Sequence, residues 1–543
     1  MRAALTLEGT LVGGKVLREG RLAAYRQLEQ GPGEPRLLRR ELSASDGQPA
    51  AHRRRSLLHL AQVSDLQLAD VQSPGRFEFF EHLRGLPGTG SFVPAQRPQE
   101  AMLVHALGSV IDTLGRCTSE DTGAPVDLVV ATGDNLDNAQ WNELRWYLTL
   151  MAGGLIDPGA GMPYGGVQAT GWPSDLFWKP DGGSDRWRVD FGFPTIEGLL
   201  ERALAGFDAA GLRVPWVSCY GNHDGLAFGE SIPTYEYRDM LLGGEKAHFL
   251  PHDFDPLRHE EDLFERPELF LKGPAQPVRP DADRRIVGRK EFVEAHMAAP
   301  GLPKGHGYSW GNVEAGTTYF SYAASPLVKL IVLDTANLDG YHEGSIGAKQ
   351  LAWLEYELLE CHSRCLSTDG REMRPGGEDR LVVLASHHGS RKLANLRQSA
   401  IGSEDDHPRH GWDTLGPMLA RFPNIVLWLN GHTHVNQVVL HRNHAGGMAE
   451  VTTCSVADWP SQARSVEIVS NGDGSISVLT TMVDHLAPVV PDAAPGGGDP
   501  LALASLHREL AANVPLGGLG SPLEGLPTDR NCDIVMGSPF PLP

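Results

Sequence analysis

Residues 57 to 70 read LLHLAQVSDLQLAD. An apolar run this continuous suits a strand buried on both faces. It stops at Ser64, and the acid Asp65 and the amide Gln67 follow two positions apart. Period-two spacing points both side chains the same way, so two oxygen donors can converge on one point. Five further runs share this character: VDLVVAT (126–132), VPWVSCY (214–220), VKLIVLD (328–334), RLVVLAS (380–386) and NIVLWLN (424–430). Helix-like patterns at 101–116, 196–212 and 346–362 lie between them, and this alternation implies a layered α/β architecture. After residue 449 the strands become closely spaced, and NGDGS (471–475) reads as a hairpin turn.

Polar groups stand directly behind five of the six runs. The first gives Asp65 and Gln67; the second, GDNLDN, gives Asp134, Asp137 and Asn138; the third, GNHD, gives Asn222, His223 and Asp224. SHHGS supplies His387 and His388, and NGHTHVN supplies His432 and His434. Open α/β sheets place their ligand crevices at the C-terminal ends of strands, so these clusters read as one site. Two divalent ions about 3.5–4 Å apart need a bridging anion, imidazoles and hard oxygen donors. A carboxylate from a tight Gly-Asp turn can bridge them, because glycine admits a close backbone approach. Imidazole with carboxylate suits manganese, iron or zinc.

The ordered set Asp-x-Gln, Gly-Asp-x-x-Asp-Asn, Gly-Asn-His-Asp, His-His and Gly-His-Thr-His resembles the calcineurin-like metallophosphoesterase superfamily, in a long bacterial-type form with Gln67 where histidine is usual. The resemblance spans residues 65 to 434 and also takes in the pattern GAKQLAWLEYEL. It implies a layered metallophosphoesterase-type αββα sandwich with two mixed sheets and long lid insertions. It implies one metal held by Asp65, Gln67, Asp134 and His434, and a second held by Asp134, Asn222, His387 and His432. His223 would act near the leaving oxygen with Asp137 orienting it through a carboxylate, and Asn138 and Asp224 would stand behind the ligands. His387 rather than His388 is the expected ligand, since it follows the strand directly. The implied activity is hydrolysis of phosphoric esters, as phosphatase or phosphodiesterase, by a hydroxide held at two divalent or trivalent ions: manganese or iron, with zinc admitted. The alternative is a catalytically weakened metal-binding scaffold or ligand-binding protein of the same fold, because the Gln67 amide is a weaker ligand than imidazole. Gln67 could instead bind through water with Asp70 helping to neutralise the ion, or merely hydrogen-bond Asp65.

The totals bound the rest. At 543 residues with 41% hydrophobic content, the chain reads as an N-terminal extension (1–55), a core (56–485) with insertions at 139–195 and 225–326, and a loosely structured C-terminal extension (486–543). Forty-seven basic against 68 acidic residues, net −21, argue against a nucleic-acid or anionic-membrane surface and leave a small-molecule phosphate ester as the expected partner. The six cysteines are too sparse for a disulfide framework, and Cys361 and Cys365 read as small buried side chains. The arginines at 53–55 precede too short an apolar run for an export signal, so the expected location is cytoplasmic. His306 and His342 read as surface or core polar residues; Arg76 and Arg464 are candidates for a phosphate contact.

Overall fold

The computed structural model describes residues 4–43, 49–86, 90–159, 164–399, 406–444, 446–491 and 499–542. The six apolar runs all form strands, and they divide between two mixed sheets. The first sheet runs in the order Leu37–Leu42, Cys532–Gly537, Ser475–Asp484, Ala463–Ser470, Arg55–Val63, Leu128–Ala131, Trp216–Ser218, with Ala4–Leu5 beside Ser475–Asp484. Its last three strands are mutually parallel. The second runs Phe320–Ser325, Val328–Val332, Leu381–Ala385, Ile425–Asn430, Gly446–Thr452, Gln437–Asn443. Its four central strands are parallel, and the two outer ones are antiparallel to their neighbours. Each site-bearing strand therefore ends at the same edge of its sheet.

Side-chain alternation sets what each face covers. Leu330 and Val332 join Leu58 and Leu60 of the first sheet in one apolar cluster. Ile331 and Leu333, one residue out of phase, pack instead with Leu354, Leu358, Leu415 and Leu419. Those leucines come from the helices Ala348–Glu360 and Trp412–Leu419. The first of these is rich in strong helix formers, and its Leu354 and Leu358 meet the core at i, i+4 spacing. Helices Leu103–Leu114 and Trp141–Ala152 add Leu107, Val110, Leu144 and Tyr147 to the larger cluster. Fully burying such a side chain contributes about 1.5–3 kcal/mol, so the polar strand ends are carried on a stiff core.

Three expectations are corrected. The helix expected over 196–212 is only Leu199–Ala203, because Gly206 interrupts it and Phe207–Ala209 pairs instead with Gly154–Ile156. The described part of the C-terminal segment is not loose: Leu503, Leu506 and Leu510 of helix Pro500–Ala512 pack with Tyr25, Trp178 and Phe193. Cys532–Gly537 lies inside the first sheet. The two insertions also do more than cover the site, since helix Trp141–Ala152 is core and Phe320–Ser325 is an edge strand. The hairpin at 471–475 forms as expected, with Asn471 N donating to Ser475 O (3.1 Å). All six cysteines are buried and unpaired. Among the described residues no helix is long and apolar enough to cross a membrane.

Candidate metal centre

The loops behind the five strands meet in one place. Asp65 N donates to Gly133 O (3.2 Å) and Gln67 N to Asp134 O (2.8 Å), which ties the first loop to the second. Asp224 ties the second to the third: its carboxylate accepts from the main-chain N–H groups of Gly221 (2.8 Å), Asn135 (3.0 Å) and Leu136 (3.1 Å). His432 N donates to both oxygens of Asp65 (3.0 Å each), which brings in the fifth. Two motif glycines are required by space. A Cβ on Gly221 would lie 2.2 Å from Asp134 Oδ1, and one on Gly133, at φ +90°, would lie 2.8 Å from His387.

The backbone is bent to the left-handed region at five of the seven expected ligands. Asp65, Gln67, Asp134, His432 and His434 have φ of 51°, 42°, 51°, 69° and 58°. Non-glycine residues adopt such angles at a cost of order 1–3 kcal/mol each, and such residues cluster at functional sites.

Ring hydrogen bonds determine which imidazole nitrogens are left free. His387 Nδ1 faces the Thr132 carbonyl (2.9 Å), which can only accept, so Nδ1 carries the proton and Nε2 is available. That Nε2 lies 3.1 Å from Asp134 Oδ2 and 4.0 Å from Asp65 Oδ1, out of line for a hydrogen bond. His434 Nδ1 donates to Asp458 Oδ2 (2.5 Å), leaving Nε2 3.3 Å from Asp65 Oδ1. His223 Nδ1 donates to the Asp137 carbonyl (2.6 Å), and its own main-chain N–H reaches Asp134 Oδ1 (2.9 Å). The ring of His388 lies 4.4 Å from that of His432, yet both its nitrogens are spent, on Thr335 Oγ1 and the His342 carbonyl (2.8 Å each). Of the two adjacent histidines, only His387 keeps a ring nitrogen without a hydrogen-bond partner.

Two amide oxygens complete the set. Gln67 Oε1 and Asn222 Oδ1 are buried with no hydrogen-bond partner, and Asn222 is held by its Nδ2 on Gly229 O (2.9 Å). A buried polar atom without a partner costs about 1–3 kcal/mol. Both amides line the same cavity as Asp134, His432 and His434, and the ligand atoms of Asp65, Asp134 and His387 lie close enough together to hold one ion; amide oxygen, carboxylate and imidazole are donor types that fit divalent metal ions.

The charged groups of the site act strongly on one another. Burial pushes Asp134 up, but His387 and His223 outweigh it and hold the carboxyl below the usual range. Burial lowers His387 and His434, yet nearby carboxylates, Asp134 for the first and Asp65 with Asp458 for the second, raise them to about 9 and about 10. His432 is held well below its ordinary value by burial and the neighbouring histidines.

Several expected roles fall elsewhere. Asp137 orients His223 through its main-chain carbonyl, while its carboxylate accepts from Arg76 Nε (2.9 Å). Arg76 is not a phosphate ligand: its other two nitrogens grip Glu100 (2.8 and 2.9 Å), and it is buried. Arg464 is also buried and bonds Thr453, Asn436 and the carbonyls of Asp529 and Arg530. Asp70 pairs with Arg284 (2.7 Å) instead of the centre. Asn138 Oδ1 accepts from Phe228 N (2.5 Å) and Tyr237 OH (2.9 Å), pinning the second insertion. His306 stacks on Trp216 in the core, whereas His342 lines the site cavity, stacked on His432 at 5.6 Å. Sequence reasoning missed Asp458 and its partner Arg97 (2.7 Å). Gln67, Asp134, Asn222, His223, His432 and His434 all border one cavity of about 850 Å³.

No protein-family model matches the sequence, and no curated protein sequence matches it. Among solved structures the chain is similar to a dimetal phosphatase from Danio rerio (TM-score 0.36, 11% identity, 79% of this chain and 100% of that one). It is similar also to GAP50, the anchor in the inner membrane complex of Plasmodium (TM-score 0.26, 11% identity, 84% and 95%). A third is the sulfate thiohydrolase SoxB from Thermus thermophilus (TM-score 0.27, 15% identity, 85% and 61%). At TM-scores this low none of the three bears on the chemistry of the site, which rests on its own geometry.

Proposed function

We propose that the chain is a metallophosphoesterase-type hydrolase of phosphoric esters, a layered αββα sandwich carrying a dinuclear centre. The observation that carries this reading is the pair of orphaned amide oxygens, Gln67 Oε1 and Asn222 Oδ1, set among carboxylates and imidazoles whose Nδ1 atoms are already engaged. Asp65, Gln67, Asp134 and His434 would hold one ion, and Asp134, Asn222, His387 and His432 the other. Such ions, when bound, supply the Lewis acidity that ionises a water near neutral pH and neutralises charge on phosphoryl oxygens. The mixture of amide, carboxylate and imidazole suits manganese or iron, with zinc less favoured at the Gln67 position.

The chain's own groups do the rest. His223 borders the cavity with Nδ1–H fixed on the Asp137 carbonyl, so its Nε2 is the atom that meets the leaving oxygen and, when protonated, delivers a proton to it. Arg76 holds Asp137, and thereby His223, in place. The net charge of −21 favours a small-molecule ester over nucleic acid.

The test is turnover of p-nitrophenyl phosphate and its bis-ester by the manganese-loaded chain. Monoester preference assigns a phosphatase and diester preference a phosphodiesterase. Asp134→Asn should lose both metal and activity. His223→Ala should keep the metal and lose about 10²–10⁴ in kcat. Bound metal without turnover would favour the weakened scaffold suggested by Gln67, and failure to bind metal would overturn the reading.

A further inference from the structure

The cavity that reaches the centre is much larger than a phosphoryl group requires. Its 850 Å³ or so falls in the range of sites for drug-sized ligands, equivalent to roughly 28 waters at about 30 Å³ each. Much of its wall is apolar and comes from two segments far apart in sequence: Leu176, Trp187 and Phe191 from the first insertion, and Val514, Leu516 and Leu523 from the C-terminal segment. Trp187 and Phe191 are half-buried, and Leu516 is 88% exposed. Apolar surface left open on a concave wall is stabilised by whatever covers it, at about 25 cal/mol per Å².

Both segments are fixed in place. Trp187 Nε1 donates to Leu176 O (2.7 Å), and its ring meets Phe193 edge-on at 4.8 Å. Gly518 N donates to Val514 O and Leu519 N to Ala512 O (2.8 Å each), which anchors the loop to the end of its helix. The cations of the lining are already paired: Arg84 with Glu81, Arg97 with Asp458, Arg186 with Asp175 and Lys392 with Glu343. A second phosphate group would share these cations with their carboxylates, whereas an apolar group meets a ready surface.

We infer that the substrate is a phosphoric ester of a bulky apolar alcohol, its phosphoryl group at the centre and its alcohol against the Trp187–Leu516 wall; the placement of the phosphoryl group rests on the phosphoesterase reading above. The test is calorimetric binding of methyl-, hexyl- and phenylphosphonate, which cannot be hydrolysed at the P–C bond, to the manganese-loaded full chain. Affinity should rise about 100-fold from methyl to hexyl, less than full burial of five methylenes would give. Trp187→Ala and Leu516→Asp, in separate segments, should each shrink that ratio about tenfold. A ratio below threefold, a ratio unchanged in both variants, or no binding of any phosphonate would overturn the inference. Turnover of the matching alkyl phosphate monoesters, read as phosphate release, and of p-nitrophenyl alkyl phosphates is followed in parallel. Graded binding without turnover would sink the hydrolase reading alone, and turnover with flat binding would sink this inference alone.

Discussion

Asp458→Asn isolates one half of the centre. Asp458 is outside the proposed ligand set, yet its two oxygens serve three donors: His434 Nδ1 at 2.5 Å, Arg97 Nε at 2.7 Å and Arg97 Nη2 at 3.2 Å. Asparagine keeps one acceptor oxygen and turns an NH₂ towards a donor, so either His434 or Arg97 loses its partner and Arg97 keeps an uncompensated charge. Substituting the residue that orients a metal-bound histidine costs roughly 10–100-fold in metal affinity. Because geometry and charge fail together here, the upper end is expected: about 100-fold, or about 2.7 kcal/mol, at the ion held by His434. The ion held by Asn222, His387 and His432 should change by less than about threefold, since none of those residues touches Asp458. Manganese titration by calorimetry resolves the two affinities, and circular dichroism checks the fold. An unchanged isotherm, or equal losses at both ions, would refute the assignment of Asp458 to His434's metal.

Other expectations concern neighbouring groups. Gln67→His should raise the preference of the first ion position for zinc over manganese, measured by competitive titration; an unchanged ratio would mean that Gln67 does not ligate. Arg76→Met leaves the carboxylates of Glu100 and Asp137 buried without their partner and should lower stability by about 3–5 kcal/mol in urea titration; a change confined to KM would restore the phosphate role. In the metal-free protein the raised values of His387, about 9, and His434, about 10, mean that stability from these groups is full below the unfolded value of about 6.5 and is lost as pH rises towards 10. Metal uptake has the opposite sign: near pH 7 it must expel these protons, so affinity should increase with pH up to about 9 and calorimetry in buffers of different ionisation enthalpy should count close to two protons released. A melting temperature that rises between pH 7 and 10 without metal would contradict the first, and no proton release the second.

Much of the centre is legible along the chain because each part is local. A strand buried on both faces announces itself as an unbroken apolar run, and polar residues such as Asp65 and Gln67 mark its end, although both turn through the left-handed region instead of continuing the strand's period. What lies between distant segments is not written locally. Asp458 sits in VADWPSQARS without any pattern, and only its approach to His434, 24 residues away in sequence, gives it a role. Arg76 resembled a free anion-binding arginine until Glu100 and Asp137 closed around it. The strand Cys532–Gly537 is interrupted by Asp533 and ends in glycine, and its partner Leu37–Leu42 is half charged, so neither carries the unbroken apolar signature that marked the central strands. Strand pairings across nearly five hundred residues come from tertiary packing, which overrides local preference.

The most direct measurement is anomalous diffraction from crystals grown with manganese. Two peaks about 3.5–4 Å apart should flank Asp134, one within bonding distance of Gln67 Oε1 and the other of Asn222 Oδ1. A map with no peak there, or with Asp134 touching none, would contradict the dinuclear centre.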